Sequence, residues 1–400
     1  MKEKSSVEWP PVTYEQRPWN PLDDVPLSRR QRLAHRGPYM AAVVPEVAAT
    51  ELHLPRSIIA LAEDAAQELA RFDAEAGSMV APFTAILLRT ESASSSQIEN
   101  LTSSAKQVAL AELGLARSRN AEMVVANVNA TMAAVRLSED IDEAAIIAMH
   151  AALLEGQQPA MVGRWRQEQV WIGGSKAGPH NADFVPPHHE LVPAAMRDLV
   201  RFMERDDLPY LPQIALAHAQ FETIHPFPDG NGRTGRALVQ ALLRHKGLTR
   251  SMTVPISAGL LTDVPRYFSA LTAYREGNAG PILMAFSDAA LEAVVNGREL
   301  HSRLVEIDTQ WRAALAGVRA DAAAWKLLSW LLSHPVIDAS SVAVAIEVSL
   351  PTTYAAIDEL EKRSIVRPEK AGAKRNQVWF APDLLAALDE FAERARRGRA

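Results

Sequence analysis

Apolar residues recur every three or four positions along much of this 400-residue chain, as expected for one face of an α-helix. Between residues 57 and 72, for example, Ile58, Leu61 and Leu69 share one face, and polar residues occupy the other. The same spacing recurs in the segments 107–115, 121–136, 142–154, 214–224 and 291–318. The pattern predicts a mostly helical chain with a long helix after residue 290.

Two stretches between residues 163 and 187 break this pattern. The first contains Val170, Trp171 and Ile172, and the second contains Phe184 and Val185. These are aromatic and β-branched residues, and glycines lie between the two stretches. They predict two short strands joined as a β-hairpin.

From about residue 322 the pattern indicates a separate module. Three helices are predicted at 323–332, 339–346 and 351–363, followed by an alternating segment at 366–380 and a last helix at 381–397. This order resembles a winged helix-turn-helix, in which the third helix enters the DNA major groove. The predicted wing carries the basic residues Arg367, Lys370, Lys374 and Arg375. The third helix also carries Asp358, Glu359 and Glu361, which repel DNA, so DNA binding and protein binding both stay open.

Residues 1–36 are rich in proline, tryptophan and charge. Trp9 and Trp19 need apolar cover, which predicts an extended arm lying on the folded core. A disordered tail is the alternative that the composition allows nearly as well.

The composition narrows the class of protein. The chain has no cysteine, so it has no disulfide and no thiolate metal site, which fits a cytoplasmic location. No apolar run is long enough to cross a bilayer and no signal peptide is evident, so no membrane partner is expected. The net charge of −6 argues against nucleic-acid binding by the whole surface.

The densest chemistry lies at residues 225–236, which read His-Pro-Phe-Pro-Asp-Gly-Asn-Gly-Arg-Thr-Gly-Arg. A helix is predicted before this stretch. Pro226 and Gly230 interrupt it, and a second helix begins at 232 or 233 with Gly247 at its C-terminal cap. A glycine-containing loop that leads into a helix start presents unpaired N–H groups and partial positive charge. The stretch predicts a site for a phosphate chain.

The loop glycines and cations fit that ligand. Gly230 and Gly232 let the backbone approach a bulky anion, and Asn231 offers a neutral donor. Arg233 and Arg236 are three positions apart on the first helical turn, so both guanidiniums can bind the same phosphates.

Two further side chains complete the chemistry. Asp229 lies among these cations, and a carboxylate beside phosphates is the usual way to hold Mg²⁺. His225 lies where the first helix ends and can take a proton from a hydroxyl near neutral pH. The alternative is a plain helix–loop–helix turn, which leaves this combination of residue types to chance.

The twelve residues match every fixed position of the Fic (Fic/DOC) family signature, His-Pro-Phe-x-Asp/Glu-Gly-Asn-Gly-Arg-x-x-Arg, and the resemblance extends over residues 37–290. It implies an all-α Fic core with a β-hairpin flap, and transfer of AMP from ATP to a hydroxyl of a target protein. His225 would be the base and Asp229 the Mg²⁺ ligand. The residues from Gly230 to Gly232 would cradle the α-phosphate, and Arg233 and Arg236 would bind the β- and γ-phosphates.

The resemblance also suggests how the chain is divided. The expected parts are an arm at 1–36, a Fic domain at 37–290, a linker helix at 291–320 and a winged-helix-like domain at 321–400. Many relatives in the family form dimers, so a homodimer is a further expectation.

The hairpin of Val170, Trp171, Ile172, Phe184 and Val185 resembles the flap of Fic proteins. A free strand edge can hold a target segment by strand addition and so fix a Ser, Thr or Tyr hydroxyl near the α-phosphate.

The segment 95–100 has two competing interpretations. Ser96-Gln97-Ile98-Glu99 is a capping box, which would start a helix. Ser95 to Asn100 also resembles the inhibitory motif Ser/Thr-x-x-x-Glu-Gly/Asn of Fic proteins. That resemblance implies that Glu99 pairs with Arg236 and misplaces the γ-phosphate of ATP. We favour the inhibitory motif, and a capped helix that presents Glu99 is compatible with it.

The segment 254–277 resembles the part of Fic proteins that closes the adenine side. Tyr267 would border the base, with core packing as an equal alternative. Arg275 lies near where some relatives carry an Asn, which leaves the base contacts open.

Two classes of function follow. The first is an ATP- and Mg²⁺-dependent protein adenylyltransferase that is inhibited by Glu99 and can modify itself. A variant of it runs the reverse reaction, in which a water that Glu99 orients removes AMP from a modified protein. The second is a DNA-associated regulator that uses the same site as a nucleotide sensor. We rank the enzyme first because His225 and Asp229 are both present.

Overall fold

The computed structural model describes residues 6–19, 28–76, 83–175, 177–370 and 377–397. In chain order the helices are α1 (Arg29–Ala34), α2 (Arg56–Ala76), α3 (Phe83–Ile98), α4 (Ala105–Glu112), α5 (Arg119–Arg136), α6 (Glu143–Leu154), α7 (Val192–Glu204), α8 (Tyr210–Ile224), α9 (Asn231–His245), α10 (Ile256–Leu261), α11 (Val264–Arg275), α12 (Gly280–Ala314), α13 (Ala323–Leu331), α14 (Ala339–Ala345), α15 (Leu350–Lys362) and α16 (Pro382–Arg397). The strands are β1 (Thr13–Arg17), β2 (Tyr39–Val43), β3 (Val336–Asp338), β4 (Arg367–Pro368) and β5 (Val378–Phe380). The mostly helical fold predicted from the sequence is confirmed.

The chain folds into two compact units. Unit 1 comprises Met1–Ala66, Ala130–Leu248 and Val264–Asp288, and unit 2 comprises Gln67–Asn129, Thr249–Asp263 and Ala289–Ala400. Each unit is made of three segments, and the segments of the two units alternate along the sequence. The predicted domain boundaries at about 36, 290 and 320 stay predictions.

Unit 1 is built around α8, which packs against α7, α9 and α11. All residues of α8 from Leu211 to Ile224 are buried, because neighbouring helices cover it on every side. The neighbouring α6 begins at Glu143, after Asp142 accepts a hydrogen bond from the N–H of Ala145 at 2.7 Å. Because α8 is buried in this way, it fixes the position of its C-terminal residue and of the loop that follows.

The N-terminal segment lies on unit 1, so the structure favours the ordered arm over the disordered tail. Strand β1 pairs antiparallel with β2, with Thr13 opposite Val43 and Arg17 opposite Tyr39. Trp9 is 2% exposed, its ring packs against that of Tyr274 with centroids 5.8 Å apart, and its backbone N–H donates to the Gly277 carbonyl at 3.0 Å. Residues 1–5 and 20–27 lie outside the described part.

Unit 2 contains α3, which packs against α10 and α16. The buried face of α3 is unusually polar, since it includes Ser92, Ser94, Ser95 and Ser96. Glu91 is 2% exposed and accepts hydrogen bonds from the Ser257 hydroxyl at 2.6 Å and from its N–H at 2.9 Å. Hydrogen bonds inside the protein thus hold α3 in addition to the apolar packing of Phe83, Ile86 and Leu87.

The last elements of unit 2 share one hydrophobic core with α4. Ala109 and Leu110 of α4 pack with Val336, Val378 and Leu385. Strands β3, β5 and β4 form an antiparallel sheet in that order. The helices predicted after residue 322 are present within one or two residues, whereas the winged-helix assignment stays a prediction. Lys374 and Arg375 of the predicted wing lie outside the described residues.

Among the described residues, no single helix is long and apolar enough to cross a membrane. Helices α14 and α15 reach that threshold only when taken together, and they meet at a bend of 108°.

Candidate active site

The site lies in unit 1 where α8 ends and α9 begins. His225 follows α8 with a left-handed φ of 52°, and its N–H still donates to the Phe221 carbonyl at 2.9 Å. A non-glycine residue at positive φ is uncommon, and such strain clusters at functional sites. The imidazole side chain is 20% exposed. The chain therefore leaves a buried helix at a residue whose side chain reaches solvent.

Arg166 holds the backbone of His225 in place. This arginine is 3% exposed. Its side-chain Nε donates to the His225 carbonyl at 2.8 Å, and its backbone N–H donates to the Pro226 carbonyl at 2.9 Å. The remaining guanidinium nitrogens donate to the carbonyls of Glu168 and Pro187. Burial lowers the pKa of Arg166 to about 10. The guanidinium stays charged and ties the flap region to the histidine.

The carboxamide of Asn231 shapes the loop from within. Its Oδ1 accepts the N–H of Phe227 at 2.8 Å, and its Nδ2 donates to the Phe227 carbonyl at 2.8 Å. Asn231 is 2% exposed. The sequence predicted a donor at the loop crest for a ligand, but the structure places this side chain inside the loop, because the backbone groups of Phe227 need partners there.

Gly230 allows the turn into α9. Its φ is +76°, and a Cβ added at this position would lie 2.8 Å from Leu153 Cδ2. Helix α9 begins at Asn231, so the first N–H groups of this helix follow the glycine directly. Such N–H groups lack intrahelical partners and favour an anion. The geometry fits the predicted phosphate cradle at Gly230–Gly232.

His150 of α6 contacts the loop between α8 and α9 at Phe227 and Asp229. Its ring stacks on Phe227 with centroids 3.7 Å apart and parallel planes, and its Nε2 lies 3.1 Å from the carbonyl oxygen of Asp229. His150 is fully buried, and burial lowers its pKa to about 4. The neutral ring with a proton on Nε2 therefore donates to Asp229.

The Asp229 carboxylate is the candidate metal ligand. Its side chain is 48% exposed, Oδ1 accepts the N–H of Gly230 at 2.6 Å, and Oδ2 lies 3.3 Å from Gln158 Nε2. Among the described residues, no group of three or more His, Asp or Glu side chains is placed to hold a metal. Mg²⁺ commonly takes one or two carboxylates and completes its shell with phosphates and waters. A single half-exposed carboxylate beside a phosphate cradle fits that use.

Arg233 and Arg236 are buried on the first turns of α9, at 3% and 2% exposure. Arg233 Nη2 lies 3.9 Å from Asp229 Oδ1. Two guanidiniums are therefore held at the end of the helix where an anion is favoured, as the sequence predicted.

Glu222 sits one turn before the histidine. Its carboxylate lies 3.9 Å from His225 Nδ1 and 4.0 Å from Nε2 of the buried His218. The Glu222 carbonyl also lies 3.4 Å from His225 Nδ1. The carboxylate and the backbone carbonyl of Glu222 therefore both favour a proton on Nδ1 of His225. This leaves Nε2 of His225 to accept a proton.

Tyr267 is in the interior of unit 1. It is 1% exposed, and its hydroxyl lies 2.7 Å from His218 Nε2. Burial and the charge of Arg236 lower the pKa of His218 to about 3. The ring of Tyr267 therefore packs in the core, as the alternative prediction had it. The neighbouring Phe268 is 48% exposed. The base contact of Tyr267 stays a prediction.

The predicted flap is shorter than two strands. Ile172 and Phe184 form an isolated antiparallel bridge, with the Ile172 N–H donating to the Phe184 carbonyl at 2.9 Å. On the other side, the Ala42 N–H of β2 donates to the Val185 carbonyl at 3.0 Å, and the guanidinium of Arg275 lies 3.8 Å from the Phe184 ring centre. The 184–185 edge is therefore covered. Val170 and Trp171 lie on the opposite branch of the hairpin.

Glu99 lies in unit 2 and follows the end of α3, so the capping-box prediction is wrong. The Asn100 N–H donates to the Gln97 carbonyl at 2.9 Å, and the Leu101 N–H donates to the Ser96 carbonyl at 3.0 Å. Asn100 has a φ of 60°. This is a Schellman motif, in which the residue after the helix must be left-handed. Ser95 is buried one turn earlier.

Four supporting residues were not found from the sequence as parts of the site: His150, Arg166, Glu222 and His218. Each acts through a contact that the spacing of the motif does not reveal. The spacing of His218, Glu222 and His225 along α8 was the one available signal, because residues three and four apart on a helix are neighbours.

Three comparisons bear on this site. Residues 140–243 match the model of the Fic/DOC family. A probable protein adenylyltransferase of Aquifex aeolicus is 30% identical over 145 residues, which are 34% of this chain and 40% of that relative. A protein adenylyltransferase Fic of Nematostella vectensis is 35% identical over 123 residues, which are 30% of this chain and 26% of the relative. The matched region thus spans less than half the length of both relatives.

A solved structure is similar over more of the chain. The crystal structure of a Fic family protein from Desulfovibrio desulfuricans G20 matches 85% of this chain and 98% of that chain, with a TM-score of 0.53 and 23% identity. This likeness concerns the fold.

Proposed function

A Fic/DOC family domain occupies residues 140–243 of this chain, and from that premise we propose that the protein is a protein adenylyltransferase. It transfers AMP from ATP to a Ser, Thr or Tyr hydroxyl of a target protein. The observation that carries the proposal is the junction between α8 and α9. One partly exposed imidazole, one half-exposed carboxylate and two buried guanidiniums adjoin a glycine turn at a helix start.

His225 acts as the general base. The proton on Nδ1 faces Glu222 at 3.4 Å, so Nε2 is the nitrogen that takes the proton of the target hydroxyl. The hydroxyl oxygen then bonds to the α-phosphorus, and the bond between this phosphorus and the pyrophosphate oxygen breaks. The buried Glu222 carboxylate stabilises the imidazolium that forms.

The cradle positions the nucleotide. The N–H groups at the start of α9 receive the α-phosphate, and Arg233 and Arg236 bind the leaving pyrophosphate. Asp229 would hold Mg²⁺, which supplies charge neutralisation on the phosphates. His150 and Arg166 contribute by fixing the carbonyls on either side of the Pro226–Pro228 segment. Most of the rate enhancement then comes from positioning and electrostatics.

The flap presents the target. The 184–185 branch is joined to β2 through Val185, so a target strand adds to the branch of Val170 and Trp171. Main-chain hydrogen bonds would give affinity, and contacts with alternate side chains of the target would give specificity, as in strand addition generally.

Glu99 inhibits the reaction by pairing with Arg236. Support comes from the sequence pattern at 95–100 and from the Schellman motif, which requires the left-handed residue that Asn100 supplies. An arginine held by Glu99 is withheld from the γ-phosphate, so ATP binds without its reactive geometry.

The test is self-labelling with ATP labelled on the α-phosphate, using the full chain with Mg²⁺. We expect weak labelling of the wild type, stronger labelling of Glu99→Gly and none of His225→Ala in the Glu99→Gly background. His245→Ala is the matched control, because it removes an imidazole at the far end of α9, where His245 lies 2.9 Å from the Ser138 carbonyl. Equal labelling of all four proteins rules the proposal out. Release of AMP from labelled protein that depends on Glu99 identifies the reverse reaction instead.

A role of residues 321–400 in DNA binding, a homodimer and a cytoplasmic location stay predictions.

A further inference from the structure

A cavity within unit 2 lies behind the helix that precedes the inhibitory glutamate. Its volume is about 80 Å³. Ala93 of α3 faces it on one side, Val108 of α4 and Val124 of α5 on another, and Leu388 and Phe391 of α16 close it. Thr102 and Asp389 in its lining are exposed, so the cavity is partly open to solvent and a ligand can enter it. An engineered cavity about twice as large binds benzene.

The polar groups of the cavity define what it accepts. Ser103 lines it, and its hydroxyl is shielded from solvent with no hydrogen-bond partner among the described residues. The charged side chains at the margin are already matched. Arg89 pairs with Glu112 at 2.6 Å, and Asp389 accepts the N–H of Ala105 at 3.0 Å. A charged occupant would leave a buried charge without a partner, whereas a neutral one with a hydrogen-bond acceptor satisfies Ser103.

The cavity touches the chain on both sides of Glu99. Gln97 lines it two residues before, and Leu101 lines it two residues after. The Leu101 N–H closes the Schellman motif on the Ser96 carbonyl at 3.0 Å. An occupant that packs on Gln97 and Leu101 therefore acts on the turn that orients Glu99. Helix α16 forms the opposite wall, so the occupant also links the last helix of the chain to α3.

We propose that this cavity is a regulatory site for a small neutral molecule with an apolar body and one hydrogen-bond acceptor. A ligand that binds the described conformation stabilises it by mass action. Occupancy therefore holds α3 and its C-terminal turn in place and strengthens inhibition by Glu99. The binding part stands on the cavity alone, whereas the regulatory part rests on the proposed function.

Binding is tested by methyl NMR on the full chain, with butyramide as the probe and butyrate as its charged isostere. Butyramide should shift the alanine methyl signals of Ala93, Ala109 and Ala392, which line the cavity, and leave the exposed Ala386 unchanged. Butyrate should shift none of them. Ala392→Leu fills the cavity from α16 and should abolish the shifts, while Ala386→Leu makes the same substitution outside the cavity and should keep them. Absence of butyramide shifts at the lining alanines overturns the proposed site.

Regulation is tested in the labelling assay with the same probe. Coupling between sites is typically fivefold or more, so saturating butyramide should lower wild-type labelling by about fivefold. Labelling of Glu99→Gly should not change. Shifts without any effect on wild-type labelling overturn the regulatory part and leave the binding site. If Glu99→Gly shows no labelling at all, the proposed enzyme fails, and the NMR result still decides whether the cavity binds.

Discussion

Replacing His150 by phenylalanine removes one hydrogen bond and keeps one ring contact. The phenyl ring can retain the parallel stack on Phe227, whose centroid lies 3.7 Å from that of His150. The Asp229 carbonyl, 3.1 Å from His150 Nε2, loses its donor. The substitution therefore isolates the contact that orients the carbonyl between Asp229 and Gly230.

The expected loss follows from that contact. An acceptor left without its partner in a partly buried place costs about 1–2 kcal/mol. Since 1.36 kcal/mol is a factor of ten in rate, the labelling rate should fall about 5- to 30-fold. The Mg²⁺ concentration at half-maximal rate should also rise, because the Asp229 carboxylate belongs to the same residue as the carbonyl that loses its donor.

The assay is self-labelling in the Glu99→Gly background, so that inhibition does not mask the change. His301→Phe is the matched control: it makes the same substitution on α12, where the ring of His301 packs against Phe83 at 5.1 Å. Chemical unfolding measures how much of each loss is stability. If His150→Phe labels at the rate of its background while folded, His150 does not position the loop and this reasoning is refuted.

Three further outcomes are expected. Asn100→Gly should leave the free energy of unfolding nearly unchanged, whereas Asn100→Val should lower it by about 1–2 kcal/mol in urea unfolding and raise labelling, because valine resists the left-handed φ of 60°; equal stability of the two contradicts the Schellman assignment. Arg166→Lys should label less than the wild-type residue in the Glu99→Gly background, because an ammonium cannot reproduce the forked bonds to the carbonyls of His225 and Pro187; full activity would show that the fork is dispensable. The contribution of His150 and His218 to stability should be constant above pH 7 and fall by about 2 kcal/mol for each ring between pH 7 and 5, because the unfolded rings take up protons near pH 6.5 and the folded ones only near pH 4 and 3; an unfolding free energy that is flat over this range would show that neither ring is buried neutral.

The catalytic loop was predictable because its chemistry is local. The break at Gly230, whose φ is +76°, and a helix start at 232 or 233 were expected from residue types within a dozen positions, and α9 begins at Asn231. The left-handed φ of His225 was not predicted, because residue type alone does not call for it. The carboxamide of Asn231 was the exception. A side chain can serve a ligand or its own loop, and only the position of the Phe227 backbone decides between them.

The remaining differences come from contacts that are distant in sequence. The capping box at 96–99 satisfies the residue preferences of a helix start, yet α3 was already formed, and Glu99 falls at its end. Likewise, nothing near Arg166 in the sequence shows that it will reach the carbonyl of His225, 59 residues later. Residue propensities indicate where a helix can begin, whereas tertiary packing decides where the helix actually begins and ends.

The serine-lined face of α3 has a mechanical consequence. Ser92 and Ser96 bond to Asn127, whose amide donates to the Ser92 carbonyl at 2.9 Å and lies 3.3 Å from the Ser96 hydroxyl. Interlocked leucines resist sliding because each displacement opens a void, but small hydroxyls exchange one partner for another within the same space. At this face α3 can therefore exchange hydrogen-bond partners without opening a void. Such an exchange of partners needs no turn of α3 to unfold.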